Sequence, residues 1–171
     1  MSKKVRVRFS DFLKLFPKID TPVTLSVEDS RTFSAKNKPL KIEHIATYID
    51  DQINSEENEL IEYIPCFRLN NTSDFHALIY FKADLMNYEY ILANYDKKEN
   101  LIEKRIIAGL RSNGPIITRA VATISEDNII YIVEGMTDAD ERLYNPSSSK
   151  SYNLELMANG EIIFSEDEEL T

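Results

Sequence analysis

The stretch FHALIYFKADLMNYEYILANYDKKENLIEKRIIA, residues 75–108, decides the fold class. It holds runs rich in β-branched and aromatic residues at about 75–82, 88–95 and 101–108, parted by short breaks. Such runs at period two read as strands. Connections this short force antiparallel pairing, because a parallel crossover needs a dozen or more residues. FHALIYF (75–81) and YEYILANY (88–95) are apolar on both faces. One face is expected to cover a core under helices. The other should line a concave surface, or the sheet should curl toward a half-barrel.

The same pattern extends outward to strands at about 63–69, 115–124, 129–134, 152–157 and 161–165, with an early strand VTLSV at 23–27. Asn70 to Asp74, Asp96 to Asn100, Ser112-Asn113-Gly114-Pro115 and Ser125 to Asn128 are turn sequences between them. Asn159-Gly160, between LELMA and EIIFS, predicts a two-residue type I′ hairpin, since Asn-Gly tolerates positive φ at both central positions. Residues 136–150 form the one long irregular connection, read as a flap or a tolerated insertion.

The N-terminal part has helical spacing instead. Phe9, Phe12, Leu13 and Phe16 form one apolar stripe, with Ser10 as the expected N-cap and Pro17 as the stop. Leu40 to Ile53 predicts the longest helix, with Ile42, Ile45, Ala46, Ile49 and Ile53 on one face. Asp29 to Pro39 reads as loop and Ser55 to Glu59 as an acidic linker. The expected architecture is α+β: two short N-terminal helices packed on a curved antiparallel β-meander of about seven to eight strands. Residues 1–165 form the domain and 166–171 an acidic C-terminal tail.

The chain has 171 residues, a size that buries enough surface to fold without a staple. With a single cysteine, Cys66, no intrachain disulfide can form, and a cytoplasmic location is expected. A secreted or surface chain with its signal removed would read the same way. No run is long and apolar enough to span a membrane. The net charge is −9, which argues against binding nucleic acid through its phosphates. Charge is unevenly placed. Residues 1–18 carry Lys3, Lys4, Arg6, Arg8, Lys14 and Lys18 against Asp11, whereas Asp50, Asp51, Glu56, Glu57, Glu59 and Glu62 form a block without a base. Residues 138–171 are acidic as well.

Catalytic and metal chemistry find little support. His44 and His76 lack the spacing of a metal pair. Cys66, in IPCFR, has no base beside it in sequence to lower its pKa. Asp138, Asp140 and Glu141 lack the Gly and Glu that complete a calcium loop. Asn70-Asn71-Thr72 matches a glycosylation sequon, a pattern common by chance. Neither cofactor nor metal is expected.

Read in order, FSDFLKLFPKIDTPVTL, KPLKIEHIATYI, YIPCFRL, HALIYFKA, YEYILANYDKKENLIEKRIIAG and ANGEIIF resemble small Bacteroidetes-type bacterial proteins of unknown function. Those begin with a Phe-Pro-containing helix and pass through a Tyr-Asp-Lys-x-Gly-x-Leu-Ile hairpin. Here Glu99-Asn100 stands where a Gly is typical. The resemblance implies a bacterial source and a meander fold, and no activity.

The functional expectation is therefore a non-enzymatic interaction domain, such as an immunity or inhibitor protein. Asp50, Asp51, Glu56, Glu57 and Glu59 would meet a basic protein partner. The alternative is a small-ligand or peptide site on the aromatic face of the sheet, at Phe67, Tyr80, Tyr88 and Tyr90.

Overall fold

The computed structural model describes residues 6–138 and 149–166. Its centre is the expected meander. Strands β3 (Glu62–Leu69), β4 (Phe75–Ala83), β5 (Asn87–Asp96), β6 (Leu101–Asn113), β7 (Ile116–Ile124), β8 (Ile129–Asp138), β9 (Lys150–Leu156) and β10 (Ile162–Glu166) pair in chain order, each antiparallel to the next. Two short strands bring the sheet to ten. β1 (Lys18–Ile19) runs parallel to β3, and β2 (Val23–Leu25) runs antiparallel to β7.

These short strands require the sheet to curl. In a flat sheet β1 and β7 would lie five strand spacings apart, about 24 Å. The chain from Ile19 to Val23 spans at most about 15 Å. The β3 edge and β7 are therefore drawn together, and Asn71 Nδ2 in the β3–β4 loop donates to the Glu126 carbonyl in the β7–β8 turn at 3.1 Å. β6 leaves β7 after the pair Gly109↔Ala120, and β2 takes the vacated edge at Ala122–Ile124. The register shift beside Gly109 and its φ of +132° let β6 bend there.

Two cores result. Inside the curl, Ile64, Phe67, Ile79, Tyr90, Leu92, Ile107, Ile124, Ile132 and Leu154 pack together. On the other face of β3–β5, Phe9, Phe12 and Phe16 from the first helical stretch and Leu40 and Ile45 from the second cover Tyr63, Leu78, Tyr80, Ile91 and Tyr95. Burial on both faces explains why β4 and β5 read as nearly continuous apolar runs.

The helices depart from expectation in number and bounds. Among the described residues there are four short ones rather than two: α1 (Phe9–Lys14), α2 (Ser30–Lys36), α3 (Ile42–Tyr48) and α4 (Ser55–Leu60), with a 3₁₀ turn at Val27–Asp29. Ser10 lies inside α1, and Arg8 is its N-cap residue. α2 fills the predicted loop because one residue, Phe33, anchors it against Phe67 and Tyr90 at 5.8 and 6.1 Å. A single anchor leaves no periodic stripe to detect. α3 stops at Tyr48, and Asp50 Oδ1 then accepts from Gln52 N–H at 3.0 Å. Ile49 and Ile53 still pack on the core, so the stripe reported burial past the helix end. The predicted linker is α4, closed by a capping box in which Glu57 N–H donates to Asn54 Oδ1 at 2.8 Å.

The early strand ends at Leu25, not Val27. The Asn159-Gly160 hairpin is also differently built. Gly160 N–H donates to the Met157 carbonyl and Met157 N–H to the Glu161 carbonyl, and only Gly160 has positive φ. Asn159 instead accepts from Glu161 N–H through Oδ1 at 3.0 Å. This larger loop lets Gly160 tuck under the sheet, where its carbonyl accepts from buried Asn94 Nδ2 at 2.9 Å. Most of the 136–150 connection, with Asp140 and Glu141, and residues 167–171 of the tail lie outside the described residues.

Candidate functional site

Placed in the fold, the aromatic candidates separate. Phe67 and Tyr90 are buried inside the curl, and Tyr80 is buried on the opposite face under the helices. No shared aromatic groove forms from them, because alternate residues of a strand point to opposite faces. Burial pushes the phenols of Tyr80 and Tyr90 up, and the Tyr90 hydroxyl is committed to the Ser26 carbonyl at 2.8 Å. Tyr88 alone of the four is exposed.

The acidic candidates also divide. Asp50 is half-buried and caps the turn after α3, while Glu57 closes the α4 capping box. Asp51, Glu56 and Glu59 are exposed.

Tyr88 and Glu59, one residue from each expected set, meet in one cleft. It has a volume of about 520 Å³ and lies between α4 and the end of the β4–β5 hairpin. Leu60, Ile61, Leu85 and Tyr88 give it apolar walls, and Glu59, Glu62 and Asp84 are its charged residues. The apolar walls are unusually open: Leu85 is 79% exposed and Leu60 62%. Met86, beside Leu85, is 57% exposed.

Local sequence explains both walls. Asn54-x-x-Glu57 fixes the start of α4, a helix with no buried residue, so Leu60 is carried outward. On the facing hairpin, Asp84 N–H donates to the Asn87 carbonyl at 2.9 Å. Asp84 Oδ1 accepts from Met86 N–H at 2.9 Å and Asn87 N–H at 2.7 Å. The Asp84 side chain thus closes the turn and leaves Leu85 and Met86 at its tip. Turn tips favour Gly, Asn, Asp and Ser, so two large apolar residues there are out of place for a merely solvated loop. The signal lies in ADLMN (83–87), where Leu85-Met86 replaces the usual turn formers.

The remaining candidates lie apart. Cys66 is buried at the bulge where Pro65 and Phe67 oppose Tyr80 and Ile79, and burial pushes its thiol up. His44 Nδ1 accepts from Lys41 N–H at 3.1 Å. His76 lies against the Phe9 ring at 5.6 Å. Among the described residues neither histidine is paired with a carboxylate or with Cys66, no cluster of His, Cys, Asp and Glu could hold a metal, and no helix is long and apolar enough to cross a membrane. In comparisons with known proteins, no family model, no curated protein and no solved structure matches this chain.

Proposed function

We propose that this chain is a non-catalytic interaction domain whose cleft between α4 and the β4–β5 hairpin takes a basic, amphipathic segment of a protein partner. The observation that carries the reading is the exposure of Leu60, Leu85 and Tyr88 on one acid-bearing cleft, with exposed Met86 beside Leu85. A contiguous exposed apolar patch framed by polar residues is the usual mark of a binding surface. Glu59, Glu62 and Asp84 select for positive charge in the occupant and against acidic competitors. The net charge of −9 extends that attraction beyond the cleft and speeds encounter with a cationic partner. An immunity or inhibitor protein is the concrete form this takes.

The test is affinity capture from the native host with two variants, Leu60→Ser/Leu85→Ser and Glu59→Lys/Glu62→Lys. All four side chains are exposed, so both variants are expected to fold. The wild type should retain a basic partner whose affinity falls with added salt. Each variant should weaken it by about tenfold or more, roughly 1.4 kcal/mol. A partner held equally by all three proteins, with no salt dependence, overturns the reading.

A further inference from the structure

We infer that a second site, distinct from the cleft, binds a compact oxyanion of the phosphate class at the other end of β3 and β4. The site is a recess of about 130 Å³ whose walls include Lys18, Arg68, Thr72, His76 and Lys97. No carboxylate lines it. At about 30 Å³ per water this is room for roughly four waters, and it falls well below the several hundred Å³ of an ordinary small-molecule pocket. One phosphate group fits that size.

The fold brings these charges together. Lys18 and Arg68 are direct partners in the β1–β3 register. Like charges placed opposite one another on a sheet destabilise it unless something neutralises them. Arg68 pairs with Leu78 on β4, and His76 lies two residues before Leu78, on the same face. His76 in turn pairs with Tyr95, and Lys97 follows two residues later in the β5–β6 turn. Arg68 Nε is held by the Phe16 carbonyl at 3.0 Å, which orients the guanidinium and leaves its remaining N–H groups for a ligand. Among the described residues, none of Lys18, Arg68 and Lys97 takes part in an ion pair.

The two histidines make the contrast plain. His44 is flanked by Glu43 and Lys41, whose charges offset each other. Around His76 the charged neighbours are Lys97, Arg68 and Lys18, all positive, and Phe9 covers the ring from α1. Burial and then these cations hold the imidazole below its ordinary pKa, so it is neutral at pH 7. A bound dianion would answer the cations, accept hydrogen bonds from the lysines, the guanidinium and the Thr72 hydroxyl, and draw a proton onto His76.

The test is a titration followed on the ring signals of both histidines by NMR. Inorganic phosphate should shift the His76 signals saturably and raise its pKa, leaving His44 in place. Chloride at matched ionic strength should move neither. Lys18→Ala/Lys97→Ala, which alters two exposed side chains, should weaken phosphate binding by about tenfold or more. A second arm compares inorganic phosphate with O-phosphoserine. Tighter binding of the monoester assigns the recess to the phosphate of a larger molecule; equal or weaker binding assigns it to the free ion. A linear His76 response, an equal response to chloride, or unchanged binding by the double variant overturns the site. None of these outcomes bears on the cleft at the opposite end of the hairpin.

Discussion

β3–β5 and β8–β10 belong to one sheet but live in different surroundings. The first group has the interior of the curl on one side and α1 and α3 on the other. The second group shares the interior, yet its outer face carries Tyr131, Val133 and Ile163 about half-exposed. The difference follows from chain order. Among the described residues the helices all precede β3, and the meander leads the later strands away from them. A single meander thus carries two sequence signatures, continuous apolar runs where both faces are covered and looser alternation where one is.

The largest expected effect breaks the comparison if it fails. Phe12 is fully buried on the helix-covered face, in contact with Phe16 and stacked on Tyr48 at 4.7 Å. Phe12→Ala should cost about 3–5 kcal/mol in urea unfolding. Val133→Ala, on the open face, should stay within about 0.5 kcal/mol. Equal costs would mean that the helices contribute little to β3–β5.

Next comes Gly109, where the two regions join. Its backbone pairs with Glu89 on β5 and with Ala120 on β7. A Cβ there would lie 2.0 Å from the Tyr88 carbonyl oxygen, and its φ of +132° disfavours any side chain. Gly109→Ala should destabilise by about 3 kcal/mol, since backbone must move and a strained conformation is added. A loss below about 1 kcal/mol would show the junction to be compliant.

Titration separates the faces more gently. Tyr63, under the helices, has its phenol pushed up to about 12 by burial and then by Asp50 and other acids. The unfolded phenol ionises near pH 10. Between those values the unfolded state has lost a proton that the folded state keeps, so stability should fall as pH rises from about 10 toward 12. At the acid end His44 and His76 both lie below their ordinary value. The unfolded state then binds more protons, and stability should decline as pH drops below about 6.5. Phosphate should blunt the acid decline by raising the His76 pKa. Unfolding midpoints across pH, with and without phosphate, check both limbs.

From β3 to β8 the meander was legible because each hairpin is short and its turn residues are strong, so strand order there followed from connectivity alone. The closure of the sheet was not, because β1 and β2 are only two and three residues long and pair with partners far along the chain. Local pattern carries no information about such pairing. Two capping boxes, Ser26-x-x-Asp29 and Asn54-x-x-Glu57, stood in the sequence and mark the helical segments read there as strand end, loop and linker. Of the cleft, Tyr88 and Glu59 were named for separate reasons. Their meeting depends on how α4 returns against the hairpin tip, and Leu85, the other exposed wall, sits in a turn where no strand or helix period marks it.

Turn chemistry supplies the smallest and sharpest effect. Glu99, in the β5–β6 turn of the covered region, has φ of 74°, and Asn128, in the β7–β8 turn of the open region, has φ of 60°. Asn tolerates this left-handed conformation; a longer side chain with no local hydrogen bond pays about 1 kcal/mol to hold it. The turn survives with Glu because Asp96 Oδ1 accepts from both Lys98 and Asn100 N–H groups and fixes its ends. Glu99→Asn should therefore stabilise by about 0.5–1 kcal/mol and raise Tm by about 1–4 °C. The same substitution removes an acid from a chain of net charge −9, so a gain that vanished at high salt would be relief of charge repulsion. A gain that persisted at high salt would assign it to the backbone, and the two turns would then differ in residue choice and not in the strain their region imposes.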